Sequence, residues 1–129
     1  MTIRIVRLGS DRLKDEGLRI GTVRRPPRGV PKADFASRNY YDVWLPNVAP
    51  SAETMKLGQQ VKTDKEWKAF EKKYRGEMAR PENLRVLELL AAMSLDTHFS
   101  VGCYCEDEAR CHRSILRQLL IEKGARVEE

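Results

Sequence analysis

The sequence has no long apolar run, only two histidines, few aromatic residues and an odd number of cysteines. No stretch approaches the roughly 18–20 consecutive apolar residues that a membrane-spanning helix needs, which excludes a transmembrane protein. Met1 to Ser10 alternates charged with apolar residues and lacks an uninterrupted apolar core, so no secretory signal is expected. The three cysteines all lie between positions 103 and 111. Such a cluster is no disulfide framework for a secreted domain and suits a reducing, cytoplasmic location. Internal repeats, linkers and low-complexity segments are missing, as are recognition-helix, zinc-finger and RNP patterns. What is present is an ordinary globular composition, 41% hydrophobic and 33% charged. The length of 129 residues suits one domain, residues 1–129, with a core that needs no disulfide or structural metal.

The formal net charge of +5 is unevenly spread. Residues 1–48 hold ten Lys and Arg against five Asp and Glu, whereas residues 49–129 hold fourteen of each. Arg24, Arg25 and Arg28 share one short stretch, interrupted by Pro26, Pro27 and Gly29. Prolines fix the backbone, so these arginines stand in a stiff turn and not along a helix, which makes the turn a candidate anion site. Nucleic acid is one candidate anion, supported only by the basic charge. A solvated basic surface is the plainer reading.

Ile3–Leu8 and Leu18–Val23 are short, β-branched and bounded by turn residues, so both read as strands. The adjacent prolines after the second forbid a central strand or helix there. Residues 31–48 read as irregular, with Tyr40, Tyr41, Trp44 and Leu45 as packing anchors. Ser51 is placed to cap a short helix. Over Thr63–Ala79, Trp67, Phe70, Tyr74 and Met78 recur at helical spacing, a stripe that serves core packing. Pro81 suits the first turn of a further helix through Leu84, Leu87, Leu90 and Ala91. His98–Cys105 reads as a buried strand with Phe99, Val101, Cys103 and Cys105 on one face, and Glu106–Arg110 as a polar loop. His112–Lys123 reads as a last helix ended by Gly124, and Ala125–Glu128 as a final edge strand. This order predicts an α/β fold: a small, mainly parallel sheet flanked by helices, in a single domain. Ligands of such sheets sit beyond the carboxyl ends of the strands, where the arginine and cysteine segments both begin.

The densest chemistry runs from Cys103 through Cys105, Glu106, Cys111, His112 and Arg113. Three readings compete. An anion could sit on the free amides of Cys111 to Ser114 at the start of the last helix, with Arg113 as a bidentate fork and His112 as a proton donor or hydrogen-bond partner. Cys103, Cys105, Cys111 and His112 also form a thiolate and imidazole set for a metal, at a spacing unlike common zinc knuckles. Cys111, beside His112, Arg113 and a helix start, is placed to be a reactive thiol. A phosphatase-type loop, which needs arginine six positions after cysteine, is not found: Ala109 follows Cys103, Cys111 follows Cys105, and Arg117, six after Cys111, falls within the helix. The anion reading ranks first and covalent thiol catalysis last. His98 reads as structural.

Gly17–Ile20, Arg25-Pro26-Pro27-Arg28-Gly29-Val30, Asp42-x-Trp44-Leu45, Ala49-Pro50-Ser51 and Trp67-Lys68-Ala69-Phe70 to Tyr74–Met78 follow one another as in the YeaO-like proteins. The chain resembles this family, catalogued as domain of unknown function 488, over about residues 2–122. Cys105-Glu106 and Cys111-His112-Arg113 resemble a signature of its other branches. Pro26-Pro27 stands where YeaO-like members carry an aromatic-proline pair, and those members tend to lack the full Cys-His-Arg element. The resemblance implies a small cytoplasmic α/β protein and supplies no reaction, cofactor or catalytic residues.

The expected function is that of an enzyme or binder of a phosphorylated or nucleotide-like anion. Arg25, Arg28, Arg113 and Ser114 would bind the anion, and His112, Glu106 and Cys111 are the catalytic candidates. No cofactor or metal is assigned. The alternatives are a non-catalytic nucleic-acid or protein-binding module, and a Cys/His metal or redox site. A small anionic ligand is the expected partner, no membrane is involved, and the oligomeric state is open.

Overall fold

In the computed structural model, which describes residues 1–105 and 110–128, four parallel strands form one sheet in the order β1-β4-β2-β3. β1 is Ile3–Arg7, β2 Leu18–Gly21, β3 Val43–Trp44 and β4 Phe99–Cys103. β4, last in the chain, inserts between β1 and β2: Val101 is level with Ile5 on one side and Ile20 on the other. All five of its residues are buried, as a strand paired on both edges and covered on both faces must be. The architecture is α/β, as the element order predicts.

Four helices follow β3 or β4: α1 Ala52–Gln59, α2 Asp64–Met78, α3 Pro81–Met93 and α4 His112–Glu122. Their starts obey capping chemistry. The Ser51 hydroxyl accepts from Thr54 N–H, the Thr63 hydroxyl from Glu66 N–H, and Pro81 occupies the first turn of α3. Gly124 ends α4 at φ 91°, a conformation that penalises any β-carbon. The apolar stripes of α2, α3 and α4 close on one sheet face, where Phe70, Tyr74, Leu87, Leu116 and Leu120 join Ile3, Ile20, Phe99 and Val101 in one core. Tyr74 is fully buried, and its hydroxyl donates to the Val48 carbonyl at 2.6 Å, so its polar end is satisfied.

The other face is built differently. Arg19 and Ser100, level with each other on β2 and β4, point away from the helices. Arg19 is wholly buried and forks onto Glu16, Nε to Oε2 at 2.7 Å and Nη2 to Oε1 at 2.9 Å. Its Nη1 donates to the carbonyls of Ser10 and Asn39, each at 2.8 Å, and the Ser100 hydroxyl donates to Glu16. One guanidinium thus ties two coil segments to the sheet. Next to it Tyr41 lies flat over Gly21, where a β-carbon would collide with the ring.

Three expectations are corrected. The 31–48 segment is not wholly irregular: it contains β3 and two 3-10 turns, Lys32–Asp34 and Pro46–Val48. β3 is only two residues long, too short for a periodic signal, and Trp44 on it is exposed, with its indole N–H donating to the Val23 carbonyl at 2.8 Å. The strand predicted through Cys105 ends at Cys103, which leaves Cys105 exposed beyond the sheet. The expected final edge strand is reduced to a single bridge, Val127 against Ile3. Of the loop expected over Glu106–Arg110, residues 106–109 lie outside the described residues.

Candidate functional site

The site begins where β2 and β4 end. Past Gly21 the chain stays on β4 for one more residue, with the Thr22 N–H and hydroxyl both donating to the Gly102 carbonyl. It then enters the basic turn. Arg24 is a structural member of that turn: its guanidinium donates to the carbonyls of Pro46, Ala49 and Pro50 at 3.0–3.1 Å, pinning the turn to the segment before α1. The Tyr104 hydroxyl holds the turn from the other side by donating to the Arg25 carbonyl at 2.8 Å. The side chains of Arg25 and Arg28 are exposed, and no described residue engages either in a hydrogen bond or ion pair.

A cleft of about 970 Å³ opens between this turn and the end of β4. Arg25, Arg28 and the buried Pro27 line one wall, and Cys103, Tyr104, Cys105 and His112 line the floor. α1 forms the far wall with Met55, Lys56 and Gln59, and Tyr40 completes the rim. Lys56 is exposed and, like the two arginines, without a partner among the described residues. Three cations are held apart by a stiff turn and a helix, and no carboxylate lines the cleft among the described residues.

At the floor, Cys111 is the N-cap of α4 and buried. The next residue, His112, is also buried, and its Nε2 lies 2.8 Å from the Thr22 carbonyl. A carbonyl only accepts, so Nε2 carries the proton. Burial holds the ring below the usual histidine range, and the Thr22 contact pulls the other way. The neutral ring then presents the Nδ1 lone pair to Cys111 Sγ at 3.8 Å. Tyr74 packs edge-on against the imidazole and keeps its plane in place. His112 therefore has one nitrogen committed to the fold and the other turned to a thiol.

The three thiols differ in environment: Cys103 and Cys111 are buried and Cys105 is exposed. The two neighbouring thiols hold Cys105 far below the usual thiol range, opposed by partial burial and assisted by the charge of Arg113. Cys111 is pushed up to about 11: Cys103 favours its charge, but Cys105 and burial outweigh it. Cys103 is raised further by both neighbouring thiols and by burial. Cys105 is thus the accessible, electron-rich sulfur, where the sequence pointed to Cys111. Strand phase misleads here, because Cys105 leaves the sheet and turns to the cleft. The donor atoms of Cys103, Cys111 and His112 lie within 4.8 Å of one another, so these three are the set among the described residues that could share a metal ion.

The remaining candidates are placed as follows. Arg113 is buried and absent from the cleft lining; its Nη2 donates to the Cys105 carbonyl at 2.7 Å, which fixes the backbone of the floor. Its Nε is buried without a hydrogen-bond partner among the described residues. The Ser114 hydroxyl donates to the Cys111 carbonyl at 3.0 Å, an intra-turn bond that engages its proton within the chain. Glu106 lies outside the described residues. His98, before β4 and so at the opposite end of that strand from the cleft, accepts from the Thr2 N–H. Sequence reading brought Arg25, Arg28 and His112 to one place and missed Lys56 and Tyr40. The cap at Ser51 marked the start of α1, but nothing local told which way α1 would face.

The family model described as the active DUF488-N3 subclade matches residues 3–124. This chain belongs to the DUF488 family. No curated protein and no solved structure matches it. The matched span takes in both segments of this DUF488 protein that form the cleft, the basic turn and the start of α4. No helix among the described residues is long and apolar enough to cross a membrane.

Proposed function

We propose that this DUF488 protein is an enzyme acting on a small phosphorylated or nucleotide-like compound held in the cleft. The observation that carries this reading is the convergence of three cations without a partner among the described residues, Arg25, Arg28 and Lys56, over a floor whose one exposed thiol is Cys105. The arginines bind phosphate oxygens as planar forks, and Lys56 adds a point charge from the opposite wall. Tyr40 and Tyr104, edge-to-face at 6.3 Å, offer an aromatic wall for a base or other flat group. Cys105 is the nucleophile in this reading, standing between the end of β4 and the start of α4. His112 keeps the floor in register through Thr22 and does not donate a proton to the ligand, since its one N–H is already spent on that carbonyl.

Calorimetric titration with a nucleoside diphosphate, and separately with pyrophosphate, tests the reading. Arg25→Ala combined with Arg28→Ala should weaken binding at least about tenfold, or roughly 1.4 kcal/mol. Cys105→Ser should bind with unchanged affinity and lose turnover. Equal affinity of the arginine variant and the wild type, or no binding of either probe at low salt, would refute the anion site.

A further inference from the structure

The end of β4 and the start of α4 bring three buried donor atoms together. Cys103 closes β4, Cys111 is the N-cap of α4 and His112 its first residue; they are 2%, 2% and 3% exposed. Their donor atoms, two sulfurs and a ring nitrogen, all lie within 4.8 Å of one another. The nitrogen available is Nδ1, since Nε2 donates to the Thr22 carbonyl at 2.8 Å. Nδ1 stands 3.8 Å from the Cys111 sulfur. Around a tetrahedral zinc, with Zn–S about 2.3 Å and Zn–N about 2.0–2.1 Å, ligand atoms stand roughly 3.5–3.8 Å apart. The Cys111–His112 pair is therefore at ligand spacing already, and closing the rest of the set takes at most about 1 Å.

The surroundings hold these donors as metal ligands are held. A ligating imidazole commonly gives its second N–H to a carbonyl, which sets its tautomer and plane. Thr22 supplies that carbonyl and is itself fixed, its N–H and hydroxyl both donating to the Gly102 carbonyl. Tyr74 packs edge-on against the ring. The Ser114 N–H and hydroxyl both donate to the Cys111 carbonyl and so fix the backbone that carries its sulfur. Cys103 is fixed by the ladder of β4 against β1, opposite Arg7. A thiol at 3.8 Å is a weak partner for the buried Nδ1 lone pair, and a metal ion satisfies it fully. Two thiolates with an imidazole suit zinc and not the oxygen-seeking magnesium or calcium.

We propose that Cys103, Cys111 and His112 bind one zinc ion through two sulfurs and Nδ1, leaving its fourth position open to the cleft. Cys103 and His112 line the cleft floor and Cys111 does not, so the ion has protein on one side and the cleft on the other. Cys105, exposed at the same floor, lies outside the donor set and stays unligated. On binding, the two thiols release their protons to solvent, and water takes the fourth position. Three protein ligands with one exchangeable position is the make-up of a catalytic zinc site; a structural one is closed by four. The site stands on donor geometry and is independent of the anion reading of the cleft.

The test titrates the reduced, metal-free full-length protein with zinc chloride against a chromophoric chelator, and separately with cobalt chloride. The wild type should take up one equivalent. X-ray absorption of the zinc form should show two sulfur neighbours at about 2.3 Å and two nitrogen or oxygen neighbours at about 2.0–2.1 Å. Cys111→Ala and His112→Ala should each weaken zinc binding at least about a hundredfold, and Cys105→Ser should leave it unchanged. Sodium azide, a small anion that ligates metals, should shift the visible bands of the cobalt form by entering the fourth position. Uptake below about a tenth of an equivalent, or unchanged affinity in Cys111→Ala, overturns the site. A third sulfur neighbour that disappears in Cys105→Ser overturns the open position, as does a cobalt spectrum insensitive to azide. Absorption by the wild type decides the ligand set even where a variant does not fold. Calorimetry with pyrophosphate reads a different event, so the zinc site and the anion site can fail separately.

Discussion

On one face of the sheet Ile3, Ile20, Phe99 and Val101 meet three helices through apolar contact; on the other, Arg19, Glu16 and Ser100 form a buried polar cluster under coil. The first face is held by burial, which has no direction and tolerates repacking. The second is held by hydrogen bonds with fixed partners, and a buried charge there is stable only while every partner remains. That difference matters for the cleft. The basic turn springs from β2, the strand that carries Arg19, and is then held by Arg24 and Tyr104, whereas the apolar face sets where α4 packs.

The comparison breaks most sharply at Arg19. Arg19→Ala leaves the Glu16 carboxylate buried without its cation and should cost about 3–5 kcal/mol in chemical denaturation. Leu116→Ala on the apolar face removes one fully buried side chain and should cost about 2–5 kcal/mol. Replacing Arg19 by Met together with Glu16 by Leu sharpens the point: if the polar face is costly only when half-broken, this pair should be less damaging than Arg19→Ala alone.

Acid provides an intermediate test. Burial opposes the charge on Glu16, yet the hydrogen bonds of Arg19 and Ser100 outweigh it and hold the carboxyl below its usual range. Asp42 is lowered against burial by Arg12 and the Arg19 N–H, and Glu77 against burial by Ser51 and Thr54. Carboxyls whose folded pKa is depressed add stability that is complete above the unfolded value, roughly 4, and is lost as pH falls through the folded value. Unfolding midpoints should therefore fall below about pH 4 through these carboxyls, with Glu16→Gln flattening that part of the fall. The smallest effect belongs to Ser51→Ala, which removes the cap of α1 and a bond to Glu77 and should cost about 1 kcal/mol.

How far the molecule could be read in advance follows the same division. The helix bounds around α2, α3 and α4 were legible because Thr63, Pro81 and Gly124 act locally and the stripe from Trp67 to Met78 repeats every turn. β3 was not, since two residues carry no period. Arg19 sits in an alternating strand where a charged residue reads as solvent-facing; only the coil of residues 8–16 and 36–42, folding back over the sheet, turns it into a buried fork. At the site, Arg25 and Arg28 were legible through their prolines. Arg24, one residue earlier, looks identical in sequence, but its guanidinium is consumed by three carbonyls that lie 22 to 26 residues away.

Local chemistry in the chain was thus enough to specify a parallel α/β fold, its helix ends and a basic turn, because capping, proline stiffness and apolar periodicity act over a few residues. Which two of three arginines are left unengaged by the described residues, which of three thiols is exposed, and which nitrogen of His112 keeps its lone pair were decided only when β4 slid between β1 and β2. That insertion brings β2, β4 and α4 together at one end of the sheet, and the partners it supplies are too distant in sequence for any local rule to assign.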